Sequence, residues 1–153
     1  MSTTINPGVR MATSVREERG SATAGIGRVL AFASLAGMAV AGVYEGIVRA
    51  SGVSLDIGAA SGEAEPIPTG GFVGFTAMWA LAGVVLALGL ARWAKRPGRT
   101  YAVITTIVVI ASLGLPFTVP HVALSTQLVL AASHLVVAAA VIPFVAARLA
   151  RVR

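Results

Sequence analysis

Residues 71–91 read Gly71-Phe72-Val73-Gly74-Phe75-Thr76-Ala77-Met78-Trp79-Ala80-Leu81-Ala82-Gly83-Val84-Val85-Leu86-Ala87-Leu88-Gly89-Leu90-Ala91, without one charged side chain. About 20 helical residues at a rise of 1.5 Å cover a hydrocarbon layer of about 30 Å, so this run has the length and character of a membrane-crossing helix. Hydrocarbon offers the backbone no hydrogen-bond partner, and a helix satisfies its own. The span closes at Trp93, whose indole suits the boundary between hydrocarbon and headgroups. A second run, Leu124–Ala147, holds only Gln127 and His134 as strongly polar side chains.

Two further stretches lie outward from these. Thr100–Phe117 is shorter and stops near Pro116, with Pro120 just beyond, because proline lacks an amide donor and disfavours helix at the residue before it. Arg28–Ala50 has the length of a span but carries Glu45 and Arg49 in its last turns. A cleaved secretory signal competes here, with Arg28 closing a basic region, Val29–Ala36 as apolar core and Ala39-Val40-Ala41 resembling a cleavage site. The apolar stretch continues through Val43 and Ile47, which favours a retained span. Residues 1–24 are rich in Ser, Thr and Gly with scattered charges and read as a disordered cytoplasmic tail, with Met11 as an alternative start. The expected fold is therefore all-α: an integral membrane four-helix bundle over residues 25–153, preceded by that tail.

Composition agrees. The chain is 56% hydrophobic and 12% charged, with a mean hydropathy of +0.85, whereas soluble domains are roughly 45–50% apolar and about 25% charged. Its net charge of +6 comes from clusters that flank the apolar runs, not from a basic face interleaved with polar groups, so a nucleic-acid partner is excluded. The absence of cysteine removes disulfides, thiolate metal sites and thiol nucleophiles.

The clusters also orient the chain, since short loops rich in Lys and Arg stay cytoplasmic. Arg10, Arg16, Arg19 and Arg28 precede the first span; Arg92, Lys95, Arg96 and Arg99 join the second to the third; Arg148, Arg151 and Arg153 follow the fourth. Four spans place all three clusters on one side. The expectation is a multi-pass protein of the cell membrane with both termini cytoplasmic and an acidic outer loop, residues 51–70, holding Asp56, Glu63 and Glu65.

Few polar groups fall inside the spans. Glu45 has Arg49 at i+4, on the same helix face. The pair reads first as a locally neutralised contact at the membrane surface, and second as a proton- or cation-binding carboxylate. His134 lies near the middle of the fourth span, where an imidazole makes an interhelical hydrogen bond or takes a proton-linked role. Counted inward from the outer end, Glu45 and His134 differ in depth by roughly 7 Å, a gap that tilt and a long side chain can close. Small residues mark packing faces: Ala33, Gly37 and Ala41 recur every fourth residue, as do Gly42 and Gly46. The sequence contains no phosphate loop, no Ser–His–Asp set, no paired catalytic carboxylates and no metal-ligand spacing, so no catalytic residue, cofactor or metal is assigned.

Arg49-Ala50-Ser51-Gly52-Val53 closing the first span, Ser112-Leu113-Gly114-Leu115-Pro116 ending the third, and His134-Leu135-Val136-Val137 running to Ile142-Pro143 in the fourth carry a resemblance. Over Arg28 to Arg148 the chain resembles a family of small four-span actinobacterial membrane proteins with a domain of unknown function. The resemblance implies a four-helix membrane domain and draws attention to His134 and Pro116. Where that pattern often has an Asn one or two turns before the Arg, this chain has Ala41 and Glu45. The function expected is that of a non-enzymatic structural or partner-binding membrane component, its partners the lipid bilayer and a second membrane protein or another copy. The rival is a proton-linked small-molecule transporter using Glu45, as in small multidrug exporters, which also have four spans and a carboxylate in the first.

Overall fold

The computed structural model describes residues 7–58, 64–119 and 122–151, with side chains over 25–57, 65–119 and 122–151. Four α-helices make up most of it: α1 (Pro7–Ala50), α2 (Gly71–Trp93), α3 (Pro97–Ser112) and α4 (Leu124–Ala150). Their apolar parts, Gly25–Ala50, Gly71–Trp93, Pro97–Thr118 and Leu124–Ala150, are each long and apolar enough to cross a membrane. The expected spans thus have counterparts in place, with the third starting at Pro97 and the fourth reaching Ala150.

The outside of the bundle is as apolar as its inside. Leu81 is 68% exposed, and Phe32, Val43, Ile47, Val85, Ile110 and Leu124 are similarly bare. A water-facing surface does not carry so many contiguous large apolar side chains, whereas lipid tails accept them without cost.

The helices form an antiparallel ring in which α1 packs on α2 and α4, and α3 closes it by packing on α4 and α2. Two buried clusters hold the ends together. At the end where the termini lie, Ile26, Leu30 and Ala33 of α1 meet Ala87 of α2, Tyr101 of α3 and Val145 and Leu149 of α4. At the opposite end Ala41 and Val48 of α1 pack with Leu55 and Phe72, against Val129 and Val137 of α4.

Helix ends follow local chemistry. Pro97 sits in the first turn of α3, where its missing N–H is no loss. α3 stops at Ser112, four residues before Pro116, because Pro116 has no amide to donate to the Ser112 carbonyl and its ring would crowd that oxygen. A 3₁₀ turn, Leu115–Thr118, completes the third span. Glycines at φ +78° (Gly52) and +84° (Gly70) stand just beyond α1 and just before α2, a conformation that side chains with a Cβ rarely adopt.

One feature is added to the sequence reading. The 51–70 connection contains a small antiparallel hairpin, β1 (Asp56–Gly58) with β2 (Ala64–Pro66), in the register Asp56↔Pro66, Ile57↔Glu65 and Gly58↔Ala64. The Ile67 N–H continues the ladder to the Leu55 carbonyl at 2.7 Å. The helix α1 is assigned from Pro7. Residues 1–6 lie outside the described residues.

Candidate functional site

Glu45 is 3% exposed, on the face of α1 that meets the start of α2. Its Oε1 accepts from Arg49 Nε (3.0 Å), from Arg49 Nη2 (2.8 Å) and from the Gly70 N–H (2.9 Å), and its Oε2 accepts from the Phe72 N–H (3.1 Å). Gly70 is the N-cap of α2 and has no side chain to cap with. The carboxylate borrowed from α1 fills that role, satisfying amides at the first turn and placing a negative charge at the positive end of the helix dipole. Arg49 completes the arrangement by donating from Nη2 to the carbonyls of Ile67 (2.8 Å) and Pro68 (3.1 Å). One ion pair on α1 thus holds the last residues of the hairpin loop and the first of α2. The i+4 spacing explains why the two side chains meet; their loop partners come from 18 to 27 residues along the chain.

Two more bonds tie the same end. The Tyr44 hydroxyl donates to the Val129 carbonyl of α4 at 3.0 Å, and its ring stacks on Phe72 with centroids 6.2 Å apart. Thr126, 1% exposed, donates from Oγ1 to the Ser54 carbonyl at 2.6 Å, fastening the start of α4 to the loop after α1. Tyr44 and Thr126 were not singled out by the sequence reading. Tyr44 adjoins Glu45, and Thr126 is a hydroxyl in the first turn of an apolar helix, but neither pattern names a partner.

His134 is half-buried in α4, and its Nδ1 lies 2.7 Å from the Leu130 carbonyl one turn back, which makes Nδ1 the protonated nitrogen. Its ring meets the Phe75 ring of α2 edge-on, with centroids 6.4 Å apart. The interhelical contact is therefore aromatic, and the hydrogen bond stays within α4. No hydrogen bond or ion pair joins His134 to Glu45 among the described residues, because Glu45 is turned to the first turn of α2 and His134 to its own helix. Ser133 also bonds the Leu130 carbonyl, and Thr105 and Ser112 likewise bond carbonyls within α3. His121 lies outside the described residues, among which no three His, Asp or Glu side chains gather to hold a metal.

The small residues differ in what they face. A Cβ on Gly37 would stand 3.0 Å from Val141 Cγ2 of α4, and one on Gly42 would stand 3.2 Å from Val73 Cγ2 of α2, so both positions let a neighbour approach. Gly46 has nothing within 4 Å and is no packing position among the described residues. Among the described glycines the least room is at Gly98, which the spacing of small residues does not mark as a packing position. A Cβ there would overlap the Ala146 carbonyl oxygen and lie 2.9 Å from the Ala150 amide nitrogen.

Residues 21–151 match DUF6069, a family of unknown function, which covers nearly the whole bundle. The chain belongs to that family. Its match takes in the Glu45–Arg49 clamp, His134 and Gly98 alike. No curated protein and no solved structure matches the chain.

Proposed function

We propose that this DUF6069 member is a non-enzymatic structural or partner-binding component of the cell membrane. Both termini lie in the cytoplasm, and the hairpin lies on the outer side. The observation that supports this reading is the state of Glu45. Both of its oxygens are occupied by hydrogen bonds from Arg49, Gly70 and Phe72. A carboxylate that carries protons for a transporter has to exchange them with water and release its partners; one that caps a helix and anchors a loop has to keep them. The basic clusters next to Arg28, between α2 and α3, and after α4 support the orientation through their side preference. The motifs at Arg49, Pro116 and His134 extend the reading to a family of four-span membrane proteins of actinobacteria. The apolar exterior is available to a membrane-protein partner or a second copy.

The chain has no native cysteine, so single cysteines report without background. Thr69→Cys at the loop end and Ala94→Cys between α2 and α3 are treated in intact cells with a thiol reagent that does not cross membranes. Labelling of Thr69→Cys alone is expected, and labelling of Ala94→Cys refutes the orientation. In vesicles containing the purified protein, an imposed pH gradient is expected to decay as it does in empty vesicles. Faster decay that disappears in Glu45→Gln would replace the structural reading with proton-linked transport.

A further inference from the structure

The end of the bundle away from the hairpin carries cations that the Glu45 clamp does not use. Arg28 lies near the start of the α1 span, Arg92 in the last turn of α2, Arg96 and Arg99 around the start of α3, and Arg148 and Arg151 at the end of α4. Of the acidic side chains described, Glu45, Asp56 and Glu65 are all at the other end, and Glu17 and Glu18, near the start of α1, lie outside the described side chains. Arg148 has its Nη2 close to Gly25 of α1, and among the described residues its buried Nε has no hydrogen-bond partner and its charge no acidic one. Trp93, 79% exposed beside Arg92, marks the depth at which an amphipathic indole meets the headgroups. The arginines therefore stand at headgroup level.

The α3–α4 seam gives this charge a particular location. Gly98 draws the first turn of α3 onto Ala146 and Ala150 of α4. Below that contact, Thr106, Val109 and Ile110 of α3 and Leu135, Ala139 and Ile142 of α4 help to line an open apolar groove on the outside of the bundle. Arg99 precedes Thr106 by seven residues and Ile110 by eleven, intervals that return to nearly the same face of an α-helix. It stands about 10 Å above Thr106 along the axis. The groove thus runs up α3 toward Arg99, with Arg96 one residue before the helix.

We propose that this seam binds an anionic phospholipid of the surrounding bilayer. Its phosphate is held by Arg96 and Arg99 in the field of Arg148 and Arg151, and one acyl chain lies in the groove. Guanidinium groups match phosphate oxygens with paired N–H donors, and basic pockets between membrane helices suit anionic headgroups. Unlike a free anion, a lipid answers both parts of the site, the cations and the apolar groove beneath them. The binding does not depend on the proposed function or on which side of the membrane the basic end faces.

The test uses the full chain in a neutral detergent, titrated with phosphatidylglycerol or with phosphatidylcholine of the same acyl chains, and read by native mass spectrometry and thermal unfolding. One phosphatidylglycerol per chain is expected to bind and raise the unfolding midpoint, with phosphatidylcholine doing neither. Each arginine removed from a lipid-phosphate contact weakens binding about five-fold, so Arg96→Gln with Arg99→Gln is expected to cost about 25-fold and Arg28→Gln less than about five-fold. Ala139→Trp fills the groove without touching a charge, and it too is expected to weaken phosphatidylglycerol. Unfolding midpoints without lipid identify the variants that are folded. Equal binding of the two lipids, unchanged affinity in either the double arginine variant or Ala139→Trp, or an equal loss in Arg28→Gln would overturn the proposal. So would inorganic phosphate reproducing the thermal shift, since that would leave an anion site with no part for the groove.

Discussion

Replacing Glu45 tests whether an intramembrane carboxylate serves the fold or the chemistry. Glu45→Ala removes the acceptor for four hydrogen bonds, from Arg49 Nε, Arg49 Nη2, Gly70 N–H and Phe72 N–H. Arg49 keeps the Ile67 and Pro68 carbonyls and is partly exposed, so it loses less than a fully buried cation would. Among the described residues neither amide makes another hydrogen bond, and the Phe72 amide is buried, where an unsatisfied donor costs about 1–3 kcal/mol. With the lost charge pair, the expected destabilisation is about 3–5 kcal/mol, in the range for breaking a buried ion pair from one side. Glu45→Gln retains one acceptor oxygen but turns an NH2 group toward donors, and about 2–3 kcal/mol is expected. Exchanging the pair, Glu45→Arg with Arg49→Glu, restores opposite charges at i+4 but places a cation at the start of α2, where the dipole disfavours it. It should therefore recover less than half of the loss. The assay is reversible unfolding in mixed detergent and sodium dodecyl sulfate, followed by tryptophan fluorescence, with protease susceptibility of the 51–70 loop as a local readout. Wild-type stability in Glu45→Ala, or full recovery in the exchanged pair, would refute the idea that Glu45 caps α2.

Other positions give independent tests. Gly98→Ala is expected to cost about 1–3 kcal/mol or more, because its methyl group meets backbone atoms of α4 that cannot rotate away, while Gly46→Ala, facing open space, should unfold within about 1 kcal/mol of the wild type. The same unfolding assay separates them, and equal effects would contradict the packing described. Tyr44→Phe retains the ring stacked on Phe72 and loses only the bond to the Val129 carbonyl, an expected cost of about 0.5–1.5 kcal/mol. A larger loss would point to a second role for the hydroxyl. His134→Leu removes a hydrogen bond internal to α4 and an edge contact with Phe75, so a change below about 1.5 kcal/mol is expected, read in the same unfolding curves. A loss above about 3 kcal/mol would mean that the imidazole holds another helix.

Much of this protein is legible along the chain because lipid imposes a requirement on length. A segment with no water to bond its backbone has to be helical for about 20 residues, and that constraint acts within each segment. The four spans, the stop near Pro116 and the i+4 pairing of Glu45 with Arg49 are all local properties, and they are present in the order of residues. So is the suspicion attached to Glu45, since a carboxylate in an apolar run needs a partner. Membership of a family of unknown function, suspected from the motifs at Arg49, Pro116 and His134, accords with the match over residues 21–151.

Tertiary structure decided what the polar groups are for. That Glu45 caps α2 depends on Gly70 and Phe72, brought back by a hairpin whose three-residue strands are too short to show an alternating pattern. That Gly37 and Gly42 admit neighbours while Gly46 does not depends on where α2 and α4 lie around α1. Ala- and Gly-rich sequence offers small residues on several faces, and spacing alone does not choose among them. Gly98 stands in a charged stretch of sequence with no small-residue repeat, yet it has the least room for a side chain of the described glycines. The sequence by itself determined which segments meet the lipid, because that depends on the free energy of each segment with its solvent. Only the packed structure decided which residues meet each other, because that depends on the shapes of surfaces far apart in the chain.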